Sequence, residues 1–190
     1  MISMSAYVVA RMEFKGKGLV NVLLYSTMFI PATALTYPVY NMINRMKLYD
    51  TRSALILIYS CSGIAVSFFV IKNYYTNIPK ELEEAARIDG CGYMQTWAKV
   101  IFPIARPGIM TAAVLAFLNN WNEYYWASLV MIDRNKLTVP ALLSTFTTSF
   151  RTNYNGLFSA MVIIILPPII LYCIFSKFFV EALSGGAVKG

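Results

Sequence analysis

The sequence predicts an all-α protein, a polytopic transmembrane helical bundle with about four full spans in residues 1–190. Three observations predict it. The chain is 58% hydrophobic and only 13% charged, against about 45–50% apolar and about 25% charged in soluble domains. Residues 18–44, 53–71, 107–122 and 152–176 contain no Asp, Glu, Lys or Arg. A spanning helix needs roughly 20 mostly apolar residues. Three of the stretches qualify outright, and 107–122 extends past the single charge Glu123 through the apolar run 124–132. The densest charge cluster, 80–89, falls between two of these stretches, where it faces the aqueous phase.

The elements follow in order. Residues 1–10 are apolar but too short to span, and they lack the basic leader of a secretory signal. They read as the tail of a span or as an interfacial segment. Residues 11–17 form a connector with Arg11, Lys15 and Lys17. The first full span, 18–43, holds Pro31 and Pro38, each of which removes a backbone donor and bends a helix. A polar turn at 44–52 leads to a second span, 53–75, where Gly63 and several serines permit close helix contact. Residues 78–103 are a polar connector, and 106–131 a third span. In the loop 133–151, the half-apolar, Thr-rich stretch 139–150 predicts a short helix. The fourth span, 157–179, has Pro167-Pro168 near its middle, read as a packing kink, and a Gly-rich tail occupies 181–190. Residues 1–190 read as one transmembrane domain.

The net charge is +7. In a soluble protein that excess suggests nucleic acid. Here it follows the preference of basic residues for cytoplasmic loops. Placing 78–103 and both termini inside puts ten of the 16 Lys and Arg on that side. Cys61, Cys91 and Cys173 show no metal-ligand spacing. With no histidine, the chain lacks the commonest metal ligand and general base. No catalytic residue and no metal site is expected.

Within the connector, Pro79 suits a first helical position. Glu81, Glu83 and Glu84 then fall where carboxylates favour the positive end of the helix dipole. Gly90 sits where a left-handed cap ends the helix. Leu82, Ala85, Ala86 and Asp89 share a face by helical spacing, and the two alanines let another surface approach. Arg87, four residues after Glu83, makes a favourable helix pair. A second helix carries Met94, Trp97, Ala98 and Ile101 on one side and stops at Pro103. The connector is thus a helix-Gly-helix bracket along the membrane surface. It is either a solvated amphipathic loop or a docking knob for a soluble partner.

Glu84-Ala85-Ala86, three residues, Gly90, nine residues, then Val100-Ile101-Phe102-Pro103 resembles the EAA loop of ABC-importer permeases. Val100 and Phe102 depart from the family's Ile and Leu but keep apolar bulk. Ser5-Ala6-Tyr7 with Ala10-Arg11, Ile30-Pro31, Pro38-Val39-Tyr40, Trp121-Asn122-Glu123-Tyr124 and the tail 185–190 are similar to the sugar-importing branch, the maltose-type second permease subunit. That family usually has six spans, so the first span and most of the second are missing here. A truncated, non-transporting permease fragment is therefore an alternative reading.

The resemblance implies a permease subunit of an ATP-driven sugar importer in a bacterial cell membrane, with the EAA loop and C-terminus cytoplasmic. It implies a second permease subunit, two ATPase subunits and an extracytoplasmic sugar-binding protein as partners, besides membrane lipid. Glu84, Ala85, Ala86, Asp89, Gly90 and Pro103 would dock the ATPase subunit, with Glu84 facing a basic residue there. Lys189 in the tail would reach toward the ATPase pair. The chain has no Walker lysine motif, so ATP and Mg are expected only on the partner, and the chain itself has no cofactor and is not an enzyme. ATP closure would move the bracket and the spans as a two-state rigid body.

Asn119, Asn120 and Glu123 are candidates for lining the pathway, because ionisable residues within spans are functional candidates by default. At about 1.5 Å per residue, Glu123 lies roughly 24 Å above Pro107. The competing reading is an interfacial cap with Trp121 and Trp126 as belt anchors. A stand-alone carrier or channel would call for ionisable groups near mid-span, and these are absent.

Overall fold

The computed structural model describes residues 1–147 and 153–187, with side chains through residue 176. The chain forms α1 (Ile2–Arg11), α2 (Lys17–Thr27), α3 (Thr36–Arg45), α4 (Arg52–Cys61), α5 (Ile64–Asn77) and α6 (Glu81–Ile88). Then come α7 (Tyr93–Thr96), a π turn (Trp97–Ile101), α8 (Phe102–Ile104), α9 (Arg106–Trp121), α10 (Tyr125–Val130), α11 (Val139–Leu142) and α12 (Tyr154–Ala187). The short helix expected in 139–150 is α11, continued by a 3-10 turn over Leu143–Phe146. Residues 148–150 lie outside the described ones.

Among the described residues one helix alone, Tyr154–Ser176, is long and apolar enough to cross a membrane, with a mean hydropathy of 2.6. Counting each bent helix pair as one span gives up to 4. The first pair is Lys17–Thr27 with Ala32–Arg45, broken at Pro31 in an extended conformation. Pro38 does not bend the span as expected. It falls in the first turn of α3, where a backbone N–H has no intrahelical acceptor to lose. The second pair is Arg52–Cys61 with Ile64–Asn77. It breaks at Gly63, whose φ of 69° suits glycine. Gly63 therefore acts as a turn and not as the close contact expected of it: a Cβ there would meet Asn119 Nδ2 only at 4.0 Å.

The third span differs most from the expectation. α9 stops at Trp121, short of the predicted run to 131. Glu123 is the reason. Its Oε1 accepts the Trp126 N–H at 2.7 Å and its Oε2 the Ala127 N–H at 3.1 Å. The carboxylate thus satisfies N–H groups that open α10, and a new helix starts. Tyr93–Ile104 meets α9 at 75°, and the two pass as a span by length and composition only when taken as one bent pair. The Tyr93–Ile104 stretch ends one residue after Pro103. The π turn just before it relieves the clash that a proline ring makes with the carbonyl four residues back.

α12 runs unbroken through Pro167 and Pro168 to Ala187, into the region read as tail from 181. Pro168 deprives the Ile164 carbonyl of its helical donor. The Trp121 Nε1–H donates to that carbonyl at 3.0 Å.

The chain divides into two compact units. The first comprises 1–28, 64–115 and 174–190. Its core joins Ala6, Tyr7 and Val9 of α1 to Phe68, Ile71 and Tyr75 of α5, with Ile101, Ala105 and Ala112. α1 is therefore packed against α5 in the first unit. The second comprises 29–63 and 116–173. Its core joins Ile43, Ala54 and Leu55 to Ala127, Val130, Met131 and Ala141. A polar clasp closes it: Asp50 Oδ1 accepts the N–H groups of Ile132 and Asp133 at 2.9 and 3.0 Å. Asp50 Oδ2 pairs with Lys136 Nζ at 3.1 Å.

Candidate functional site

The segment 78–96 leaves α5 at Ile78 and turns through Pro79 and Lys80, so that Pro79 precedes α6 and does not open it. The Glu83 and Glu84 N–H groups donate to the Lys80 carbonyl at 2.9 and 3.1 Å. Three carboxylates in the first turn and Arg87 in the last complement the helix dipole.

The end of α6 is a Schellman cap. Cys91 N–H donates to Ala86 O at 2.9 Å and Gly90 N–H to Arg87 O at 3.0 Å, with Gly90 at φ 82°. This geometry requires a left-handed residue at position 90, for which glycine is suited. No atom lies within 4 Å of where a Gly90 Cβ would point. The cap therefore faces open space.

Burial divides the predicted docking residues. Glu83 and Ala86 are buried, whereas Leu82, Glu84, Ala85, Ile88, Asp89 and Gly90 are exposed. The expected pairing of both alanines on one outward face is thus corrected. Ala86 packs inward, and Ala85 shares the outer surface with Leu82 and with Ile88, which is 87% exposed. Tyr93 and Met94, past the cap, are also exposed but line a small cavity with Tyr7 and Val8 of α1. Pro103 lies within the helical stretch that follows.

Glu83 does not pair with Arg87. Its Oε1 lies 2.9 Å from Arg11 Nε, and both side chains are buried. Arg87 instead sits over the Tyr93 ring at 4.8 Å. An exposed partner on the same helix offers little Coulomb energy in water. A buried guanidinium 72 residues earlier in the chain offers more, and no local pattern signals it.

In the second unit, Glu123 also accepts from the Tyr59 hydroxyl at 2.7 Å. All its close partners are thus structural. Asn119 donates to Ser62 Oγ at 3.1 Å. Asn120 lines a cavity of about 400 Å³ together with Tyr59, Phe117, Trp121 and the stretch Thr138, Val139 and Pro140. Trp121 stacks on Phe117 at 5.4 Å. With its indole N–H given to Ile164, Trp121 serves the protein interior, and Trp126 is buried in the core, so neither acts as a simple belt anchor. Lys189 lies outside the described residues.

Residues 2–185 match the family described as binding-protein-dependent transport system inner membrane component. The chain belongs to this family. Over 188 residues it is 35% identical to the arabinooligosaccharides transport system permease protein AraQ of Halalkalibacterium halodurans, covering 99% of this chain and 67% of that one. Over 191 residues it is 36% identical to the trehalose transport system permease protein SugB of Mycobacterium tuberculosis, covering 99% and 69%. The chain spans about two thirds of the length of the curated relatives it matches, from 62% to 69%. It also resembles the solved structure of a bacterial ABC transporter involved in the import of the acidic polysaccharide alginate. The TM-score is 0.77 at 24% identity, over 94% of this chain and 67% of that chain. That likeness shows a shared fold. As an inner membrane component, this chain places the α6 bracket on a helical membrane scaffold, with one face held by the protein and the other free.

Proposed function

We propose that this inner membrane component is the permease subunit of an ATP-driven importer for a carbohydrate, and that the outer face of α6 docks an ATPase subunit. The observation that carries the reading is the exposed surface of Leu82, Ala85 and Ile88, ending at the open Gly90 cap. Large apolar side chains on a short charged helix are costly in water and favourable under a partner. Glu84 and Asp89 beside them offer carboxylates to a basic partner residue. The Gly90 cap admits a close approach of another backbone.

In this reading the bracket and C-terminus, with Lys189, are cytoplasmic. A second permease subunit completes the pore, two ATPase subunits supply ATP and Mg chemistry, and an extracytoplasmic binding protein delivers the solute. The names of the relatives support a carbohydrate. The cavity beside Asn120 suits one: aromatic faces of Tyr59, Phe117 and Trp121 accept the C–H faces of a sugar ring, and an amide meets its hydroxyls. Of the three pathway candidates, Asn120 is the one we place against the solute. Asn119 and Glu123 shape the wall.

The test replaces Ile88 with Arg, which puts a charge at the centre of the apolar face without touching the buried side of α6. Recovery of the ATPase subunit with the tagged permease should fall at least about tenfold, equivalent to about 1.4 kcal/mol of binding. Membrane insertion should be unchanged. Full recovery of the ATPase subunit with Ile88→Arg would refute the docking face.

A further inference from the structure

α1 carries polar side chains at Ser3, Tyr7 and Arg11, four residues apart and therefore on one stripe. The stripe points into the first unit and meets both arms of the bracket. On the first arm, Arg11 Nε lies 2.9 Å from Glu83 Oε1, with side chains 5% and 9% exposed. The Tyr7 hydroxyl donates to Glu83 Oε2 at 3.4 Å. The Arg11 guanidinium also donates to the Ile78 carbonyl, at the entry to the bracket. On the second arm, Trp97 Nε1–H donates to the Tyr75 hydroxyl at 3.2 Å, and that hydroxyl bonds Ser3 Oγ at 2.7 Å. Tyr75 is fully buried.

We infer that Arg11, with Tyr7, is a positioning residue that makes α6 move with α1 as one body. The inference deepens the docking reading and rests on it for the source of the motion. Apolar contacts slide at small cost, because any new apolar neighbour replaces the old one. A buried ion pair does not slide. Separating it leaves an uncompensated charge in a low-dielectric interior, and breaking such pairs is strongly destabilising. A displacement applied to the exposed face of α6 is therefore passed to α1 and, through Tyr75, to α5. Glu83 is one residue from Glu84, about 100° round the helix, and is buried where Glu84 is exposed. One carboxylate faces the partner, and its neighbour anchors the lever.

The test measures the α1–α6 distance in the assembled complex. Spin labels are placed at Ser5→Cys on α1 and Glu81→Cys on α6, both exposed positions, with Cys61, Cys91 and Cys173 replaced by Ser. Distances are read by pulsed electron resonance without nucleotide, and with ATP in the absence of magnesium. The unaltered Arg11–Glu83 pair should give one narrow distribution that is the same in both states. Glu83→Gln should broaden it and make it differ between the states, while the ATPase subunit still co-purifies. A narrow, nucleotide-independent distribution in Glu83→Gln would overturn the inference. If Glu83→Gln fails to accumulate, Tyr7→Phe serves in its place, with a smaller broadening expected and none refuting. If the ATPase subunit does not associate even with intact α6, the docking reading fails. The width measured in the permease alone then still decides the role of Arg11.

Discussion

Replacing Trp121 with Phe removes one N–H and keeps the aromatic ring. The indole donates at 3.0 Å to the Ile164 carbonyl, whose helical donor would have come from position 168, a proline. Phenylalanine preserves the stacking on Phe117 but leaves that carbonyl without its donor. An orphaned buried polar group costs about 1–3 kcal/mol in proteins generally. Hydrogen bonds between membrane helices average about 0.6 kcal/mol, with a maximum near 1.7. A cost of about 1–1.5 kcal/mol is therefore expected for Trp121→Phe. The reasoning has a sharper consequence in Pro168→Ala, where residue 168 regains an N–H able to close the helical bond. In that background Trp121→Phe should cost only a few tenths of a kcal/mol, giving an interaction energy of about 1 kcal/mol between sites that share one acceptor. The assay is reversible unfolding in mixed micelles by titration with a denaturing detergent, on all four members of the cycle. An equal cost of Trp121→Phe in both backgrounds would refute the account of how α12 tolerates its prolines.

Two further outcomes are expected. A Gly108 Cβ would lie 2.5 Å from Tyr74 Cγ and 2.7 Å from Tyr74 Cβ, which cannot rotate away. Gly108→Ala therefore forces α9 off α5, at about 1–3 kcal/mol for overpacking. The gain in helix propensity is about 0.8–1 kcal/mol, so the same unfolding assay should show a net loss. Asp50 is held below the usual carboxylate range, first by the N–H groups of Asp133 and Ile132 and then by Lys136. A depressed folded-state pKa means its contribution is full above the ordinary aspartate value and is lost as pH falls through the lowered one. Protease cleavage after Arg134 should therefore rise at acid pH in the wild type. In Asp50→Asn it should be high and insensitive to pH over that window.

The apolarity of the runs was legible along the chain, and so was the bracket at 78–103, whereas of the breaks that divide three of the runs only the bend at Pro31 was placed. The Gly90 cap was legible for a local reason: eight preceding residues with helix-favouring ends leave few conformations at position 90 other than the left-handed one. Glu123 was visible as an odd charge, but its task was not. Its partners are the N–H groups of a helix that exists only because the chain turns there, and the Tyr59 hydroxyl 64 residues away. The Glu83–Arg87 pairing failed in the same way. Helical spacing ranks neighbours on one helix, while the partner that excludes water arrives from α1.

By itself the sequence determined what the chain is made for: apolar runs long enough for a bilayer, a charged helix between two of them, and a glycine where that helix must end. These follow from period, composition and local backbone preference, which act over a few residues. Only the tertiary structure decided which side of that helix faces outward. Glu83 and Ala86 are turned inward because a buried guanidinium on α1 and the core of the first unit are there to receive them. That leaves Glu84, Ala85, Ile88 and Gly90 as the surface another protein can meet.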